Sequence, residues 1–249
     1  IIIGGGHNGL VAAAYLAKAK KKVLVLEARH VLGGCASTEE LWPGFKISPA
    51  SYVISLLSPQ IISDLKLREN GLKILRGHPS SITPTHDKKF LVLSADGYET
   101  SQSIKQFSKK DAAVYAEYES MLERVAVQIE YLLDKNPPIL ESNDRRLSVL
   151  GKGKNAARTL SFAKRMKRLI TFEPMAAELL FGAAQPILEY HFESEPLKAS
   201  LAADAIIGAY LSPSSLGSAY TLLHHVMGMA GGARGIWGYI QGGMGGLSD

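Results

Sequence analysis

A single cysteine in 249 residues excludes a disulfide framework and any C-x-x-C pair, so the chain cannot run dithiol chemistry with its own residues. One cysteine also suits a reducing compartment. From Ala205 to Ala233 there is no Asp, Glu, Lys or Arg. Ser, Pro and Gly interrupt that run too often for a membrane span. Acidic residues are slightly outnumbered, giving a net charge of +5. The basic–aromatic interleaving of a nucleic-acid module is missing, so no nucleic-acid partner is expected. No His, Cys, Asp or Glu cluster has metal-ligand spacing, and no acid/base set is marked by spacing, so neither a metal site nor a catalytic residue is assigned. Initiator methionine, signal peptide and transit peptide are not visible. The chain opens inside a strand, and both natural ends are expected to lie outside it.

Glycine is plentiful, with 24 residues concentrated at the two ends. The first cluster follows Ile1-Ile2-Ile3, a β-branched run that predicts the end of a fully buried strand. Gly4, Gly6 and Gly9 fill a G-x-G-x-x-G pattern around Gly5, His7 and Asn8. The first glycine permits a sharp turn, the second lets a pyrophosphate approach the backbone, and the third lets a helix pack close to the strand. A small-residue helix follows, then a second apolar strand, Val23-Leu24-Val25-Leu26, ending in Glu27. An acid about 20 residues past the glycines is placed to accept ribose hydroxyls. Ala28, Arg29, a second pair Gly33-Gly34, and Cys35 come next. A nicotinamide dinucleotide needs only the first loop; a longer flavin dinucleotide gains from a second backbone approach.

These residues resemble the FAD-dependent family that includes phytoene desaturases, carotenoid isomerases and amine oxidases. In that family an acid, a basic residue and a Gly-Gly pair follow the second strand, often with Arg after the pair; here Cys35 stands there. The resemblance implies FAD as cofactor, bound by Gly4, Gly5, Gly6, His7, Asn8, Gly9, Glu27, Ala28, Arg29, Gly33, Gly34 and Cys35. It also implies a small apolar substrate and mitochondrial residence, with the cytoplasm as the alternative. Segments along nearly the whole chain carry it, with 136–177 the weakest.

Ser58-Pro59 predicts a short helix ended by Asn70-Gly71. Strands are expected at Leu72–Leu75 and Phe90–Leu93, with Ala95-Asp96-Gly97 as a hairpin turn. Ser108 to Asp111 starts a helix whose inner face is Tyr115, Tyr118, Leu122, Val125, Ile129 and Leu132. It can face its own domain or a protein partner. Arg145, Arg146, Lys152, Lys154, Arg158, Lys164, Arg165, Lys167 and Arg168 form the most basic stretch, read as a solvated face or a membrane-contact helix. Another helix is expected from Glu195 or Pro196. The apolar run after Ala205 suits a cavity wall or plain core, and His224-His225 inside it reads as a packed pair. Gly231 to Gly246 predicts an aromatic strand feeding a glycine loop, which by the resemblance returns towards the flavin and substrate.

The fold class expected is α/β, a Rossmann-type FAD/NAD(P)-binding fold with a mixed α+β substrate or cap region. The regions are 1–100 for FAD binding with a small inserted sheet, 101–235 for the helical cap, and 236–249 for the returning loop. The function expected is hydride transfer from an apolar substrate to flavin. A catalytically weak flavin-fold interaction module is the alternative, and a nicotinamide dehydrogenase a third reading.

Overall fold

Strand β1 (Ile2–Ile3) pairs in parallel with β2 (Val25–Leu26), and helix α1 (His7–Lys18) makes the crossover between them. The computed structural model describes residues 1–133, 135–139, 149–230 and 232–249. Arg145, Arg146 and Gly231 lie outside the described residues. The chain divides into two compact units, 1–80 with 228–249, and 81–227.

In the first unit, period-2 alternation turns Ile2 towards α1 and leaves Ile1 and Ile3 84% and 88% exposed. The opening strand is therefore not buried as expected. Its sheet holds two strands among the described residues, with α1 packed against it. The Tyr15 hydroxyl donates to Asp64 (2.8 Å) and Lys18 Nζ to the Asp64 carbonyl (2.6 Å), tying α1 to α2 (Pro59–Asp64). The Asp64 hydrogen bond pushes the Tyr15 pKa up. Between them, β3 (Glu39–Trp42) and β4 (Phe45–Ile47) form a hairpin around Pro43-Gly44. Ser58 caps α2 as expected, but the helix ends at Asp64, and turns run on to Gly71 before β5 (Ile74–Arg76).

The second unit opens with hairpin β6 (Ser81–Pro84) and β7 (Phe90–Leu93). Its turn lies at 85–89, not at Ala95-Asp96-Gly97. Asp96 instead caps α3 (Gly97–Lys105), accepting the N–H groups of Tyr98 and Glu99. Ser103 and Thr100 on α3 accept from the N–H groups of Val92 and Ser94, so the hairpin is fastened to α3. Helix α4 (Lys109–Leu133) buries Tyr115, Tyr118, Leu122, Val125 and Ile129, as its periodicity predicts. Helices α5 (Val149–Phe172), α6 (Ala176–Phe181), α7 (Ala184–His191), α8 (Glu195–Asp204) and α9 (Ser218–Val226) follow, and their apolar faces share one core with α4. The uncharged run after Ala205 supplies Ala219, Leu222, Leu223 and Met227 to this core.

The chain then rejoins the first unit. Strands β8 (Met229–Ala230) and β9 (Ala233–Arg234) form a short hairpin, and β10 (Gly238–Ile240) pairs antiparallel with β5. A 3₁₀ turn at Met244–Leu247 ends it. Ala36, Ile54, Leu72, Ile240 and Met244 make the core. The units divide at 80/81 and 227/228 rather than at 100/101 and 235/236. The reason is local: β7 is held by α3, and Met229 donates its N–H to Ser55 (2.8 Å).

Candidate dinucleotide site

Three backbone segments meet where β1 gives way to α1. Gly4 continues the ladder, donating its N–H to Leu26 (2.7 Å), then turns at φ +98, a left-handed conformation that glycine adopts without strain. At Gly9 a Cβ would sit 2.2 Å from the Gly4 carbonyl oxygen, so only glycine lets α1 start this close to the strand. The second glycine pair lies against the first turn. Gly33 donates to the Gly5 carbonyl (2.8 Å), Gly6 and Gly33 form a parallel bridge, and a Cβ on Gly34 would stand 3.1 Å from the Gly6 Cα.

Glu27, at the tip of β2, reaches this junction. One carboxylate oxygen accepts the Gly5 N–H at 2.6 Å and the other the Arg29 N–H at 2.9 Å. The bond from Arg29, then that from Gly5, holds its pKa below the usual carboxylate value, against the opposing effect of desolvation. The bond to Gly5 is a contact that spacing alone could not show. The Arg29 guanidinium turns away and pairs with Glu39, which lowers the Glu39 pKa in turn.

The helix end is open. Gly6 offers no side-chain cap to α1, and its first turn carries no acid. The leading N–H groups of a helix have no intrahelical acceptor and carry partial positive charge, which favours an anion there. His7 and Asn8 are exposed on that turn, as are Ala28 and Cys35 on the neighbouring segments. A largely apolar cavity of about 540 Å³ begins beside them, with Asn8, Cys35, Ser51, Ile54, Leu57 and Met244 in its wall.

The terminal glycine loop lies on the same unit, braced against the residues that follow Cys35. Met244 donates its N–H to Ser48 (3.0 Å), Gly245 to Thr38 (2.8 Å), and the Ser248 hydroxyl to the Ala36 carbonyl (3.0 Å). These bonds span about 200 positions, so no local pattern marks Thr38, Ser48 or Ser248.

Elsewhere, His225 contacts the Thr221 carbonyl at 2.8 Å through Nδ1, and burial, then the neighbouring His225, pushes His224 down. The two rings are nearly perpendicular. That is the packed pair expected. Among the described residues no group of three His, Cys, Asp or Glu is arranged to hold a metal.

This geometry agrees with comparison to known proteins. Residues 2–63 match the NAD(P)-binding Rossmann-like domain. The structure of a putrescine oxidase mutant superposes with a TM-score of 0.53 at 17% identity, covering 99% of this chain and 46% of that one. The likeness shows a shared fold, a mixed α/β architecture built on a Rossmann-like dinucleotide-binding domain.

Along its whole length the chain is similar to pyridine nucleotide-disulfide oxidoreductase domain-containing protein 2. It is 45% identical to the Rattus norvegicus protein over 264 aligned residues, covering 100% of this chain and 44% of that protein. Phytoene dehydrogenase from Streptomyces griseus is 29% identical over 191 residues, covering 71% of this chain and 37% of the enzyme. The chain thus spans under half the length of these relatives. The sole cysteine, Cys35, has no partner with which to form the disulfide of the first relative's name.

Proposed function

We propose that the protein is an FAD-dependent oxidoreductase that takes hydride from a C–H bond of a small apolar substrate, an electron acceptor then reoxidising the flavin. The observation that carries this reading is the junction of the two glycine turns with Glu27, a 2.6 Å contact and a bare backbone approach in one place. FAD fits the residues there. The uncapped start of α1 suits a pyrophosphate cradled by Gly4, Gly5, Gly6, His7, Asn8 and Gly9. Each Glu27 oxygen accepts one N–H and keeps a lone pair for a ribose hydroxyl. Gly33, Gly34 and Cys35 extend the backbone surface along a longer dinucleotide, which favours flavin over nicotinamide. Arg29 contributes through its N–H to Glu27, with its charge spent on Glu39.

When bound, FAD supplies the hydride-accepting chemistry. The chain's own residues bind it, orient it and limit water. The apolar wall beside Cys35 supports a dry environment, and the resemblance to phytoene dehydrogenase supports an apolar substrate. A titration of the purified protein with FAD tests the reading. Glu27→Ala removes charge-assisted hydrogen bonds each worth about 1.5–3 kcal/mol, so Kd should rise roughly 10- to 100-fold. An unchanged Kd in a folded variant rejects the role of Glu27.

A second reading, a flavin-fold interaction module, is favoured by one observation: the Glu27 carboxylate at the glycine junction is held by the Gly5 and Arg29 N–H groups rather than left free to act as a base. Anaerobic substrate addition separates the two. An enzyme's flavin bleaches and then recovers with oxidant; a module's flavin does neither across a broad substrate panel.

A further inference from the structure

Helix α5 is poorly satisfied by its own protein. Its 24 residues hold seven Lys or Arg and no Asp or Glu. Of the residues whose burial is described, Leu169 alone is fully buried. Asn155 brackets the backbone of Ile139 with two 2.8 Å bonds, and Arg165 stacks 3.7 Å over Tyr131. Those contacts define the inner side, with Gly151, Thr159 and Met166. At roughly 100° per residue the opposite side carries Leu150, Leu160, Lys164, Lys167 and Arg168, with Phe172 at the last turn on the flank beside Arg165. Leu150, Leu160 and Phe172 are 71%, 57% and 73% exposed. Among the described residues Lys164, Lys167 and Arg168 make no ion pair.

We infer that the outer face of α5 docks on an anionic phospholipid surface. Charge complementarity selects an anionic partner. Large aliphatic and aromatic side chains among the cations select lipid over nucleic acid: they can enter the acyl boundary while Lys and Arg stems extend to the headgroups. At about 36 Å the helix is long enough to lie in the interface plane. No described helix is long and apolar enough to cross a membrane, so the contact is peripheral. Such a surface would bring the protein to where apolar molecules partition, but the inference does not depend on the flavin reading.

Co-sedimentation of the purified protein with vesicles tests it. Phosphatidylcholine vesicles containing phosphatidylserine should pull the protein down; pure phosphatidylcholine should not, and salt should weaken binding. The triple variant Lys164→Gln, Lys167→Gln, Arg168→Gln should bind on the order of a hundredfold more weakly, about fivefold per charge. Leu160→Ser with Phe172→Ser should also weaken it. Because all five side chains are exposed, melting temperature and flavin content should not move. Equal binding to neutral vesicles overturns the inference. So does an unaffected triple variant, or a protein that shifts duplex DNA yet leaves the vesicles alone. Loss of flavin with vesicle binding intact would count against the enzyme reading only.

Discussion

At the scale of single residues, the first site is a problem of excluded atoms. Gly9 has no room for a methyl group against the Gly4 carbonyl. Gly9→Ala should destabilise by about 1–3 kcal/mol through overpacking, read as a lower urea midpoint, and should reduce flavin content. An alanine variant as stable and as yellow as wild type would mean that α1 starts elsewhere. Thr38 is the residue to test among those the sequence hid. Thr38→Val keeps the shape but leaves the Gly245 N–H without its acceptor, a loss of about 1–3 kcal/mol, whereas Thr38→Ser should restore it. Thermal melts of both variants check this. The glycines and Glu27 were legible because their spacing encodes a local turn and one crossover. Thr38, Ser48 and Ser248 were not, because their hydroxyls meet backbone groups far away in sequence.

Among elements, a buried carboxylate helps fasten α4 to the start of α8. Asp111 is fully buried and accepts the N–H groups of Glu193 (3.0 Å) and Ser194 (2.9 Å), just before α8. Burial raises its pKa, but the hydrogen bonds from the Glu193–Ser194 turn outweigh that, and the net value lies below the usual range. Asp111→Ala should therefore cost about 2–4 kcal/mol, from two stranded donors, in a denaturant titration. The pH sign follows from the depressed pKa. The ionisation-linked part of this stability is fully present above the unfolded carboxylate range and disappears as pH falls through the lower folded value. The stability gap between wild type and Asp111→Asn should be constant near neutral pH and narrow in acid. A gap that widened in acid would contradict the assignment. Helix periodicity made α4 readable, yet Asp111 passed as a first-turn acid because its partners lie 82 and 83 residues away. Asp96-Gly97 was misread for a different reason: the pair suits both a hairpin turn and a helix start, and only the 85–89 loop decides between them.

For the whole molecule, each unit has its own core, and the first leaves apolar strand surface in the open. Ile1, Ile3, Leu24 and Leu26 are all about half exposed or more. The β-branched run identified a strand but carried no information about what covers it. A 249-residue chain studied alone should therefore bind a hydrophobic dye, and Ile3→Lys should reduce that binding. The most direct test of the central claim is the identity of the small molecule released when the purified protein is denatured. Absorbance and mass spectrometry should find FAD, in near-stoichiometric amount and depleted in Glu27→Ala. Release of a nicotinamide dinucleotide, or of no adenine dinucleotide from a folded protein that also fails to take up added FAD, would contradict it.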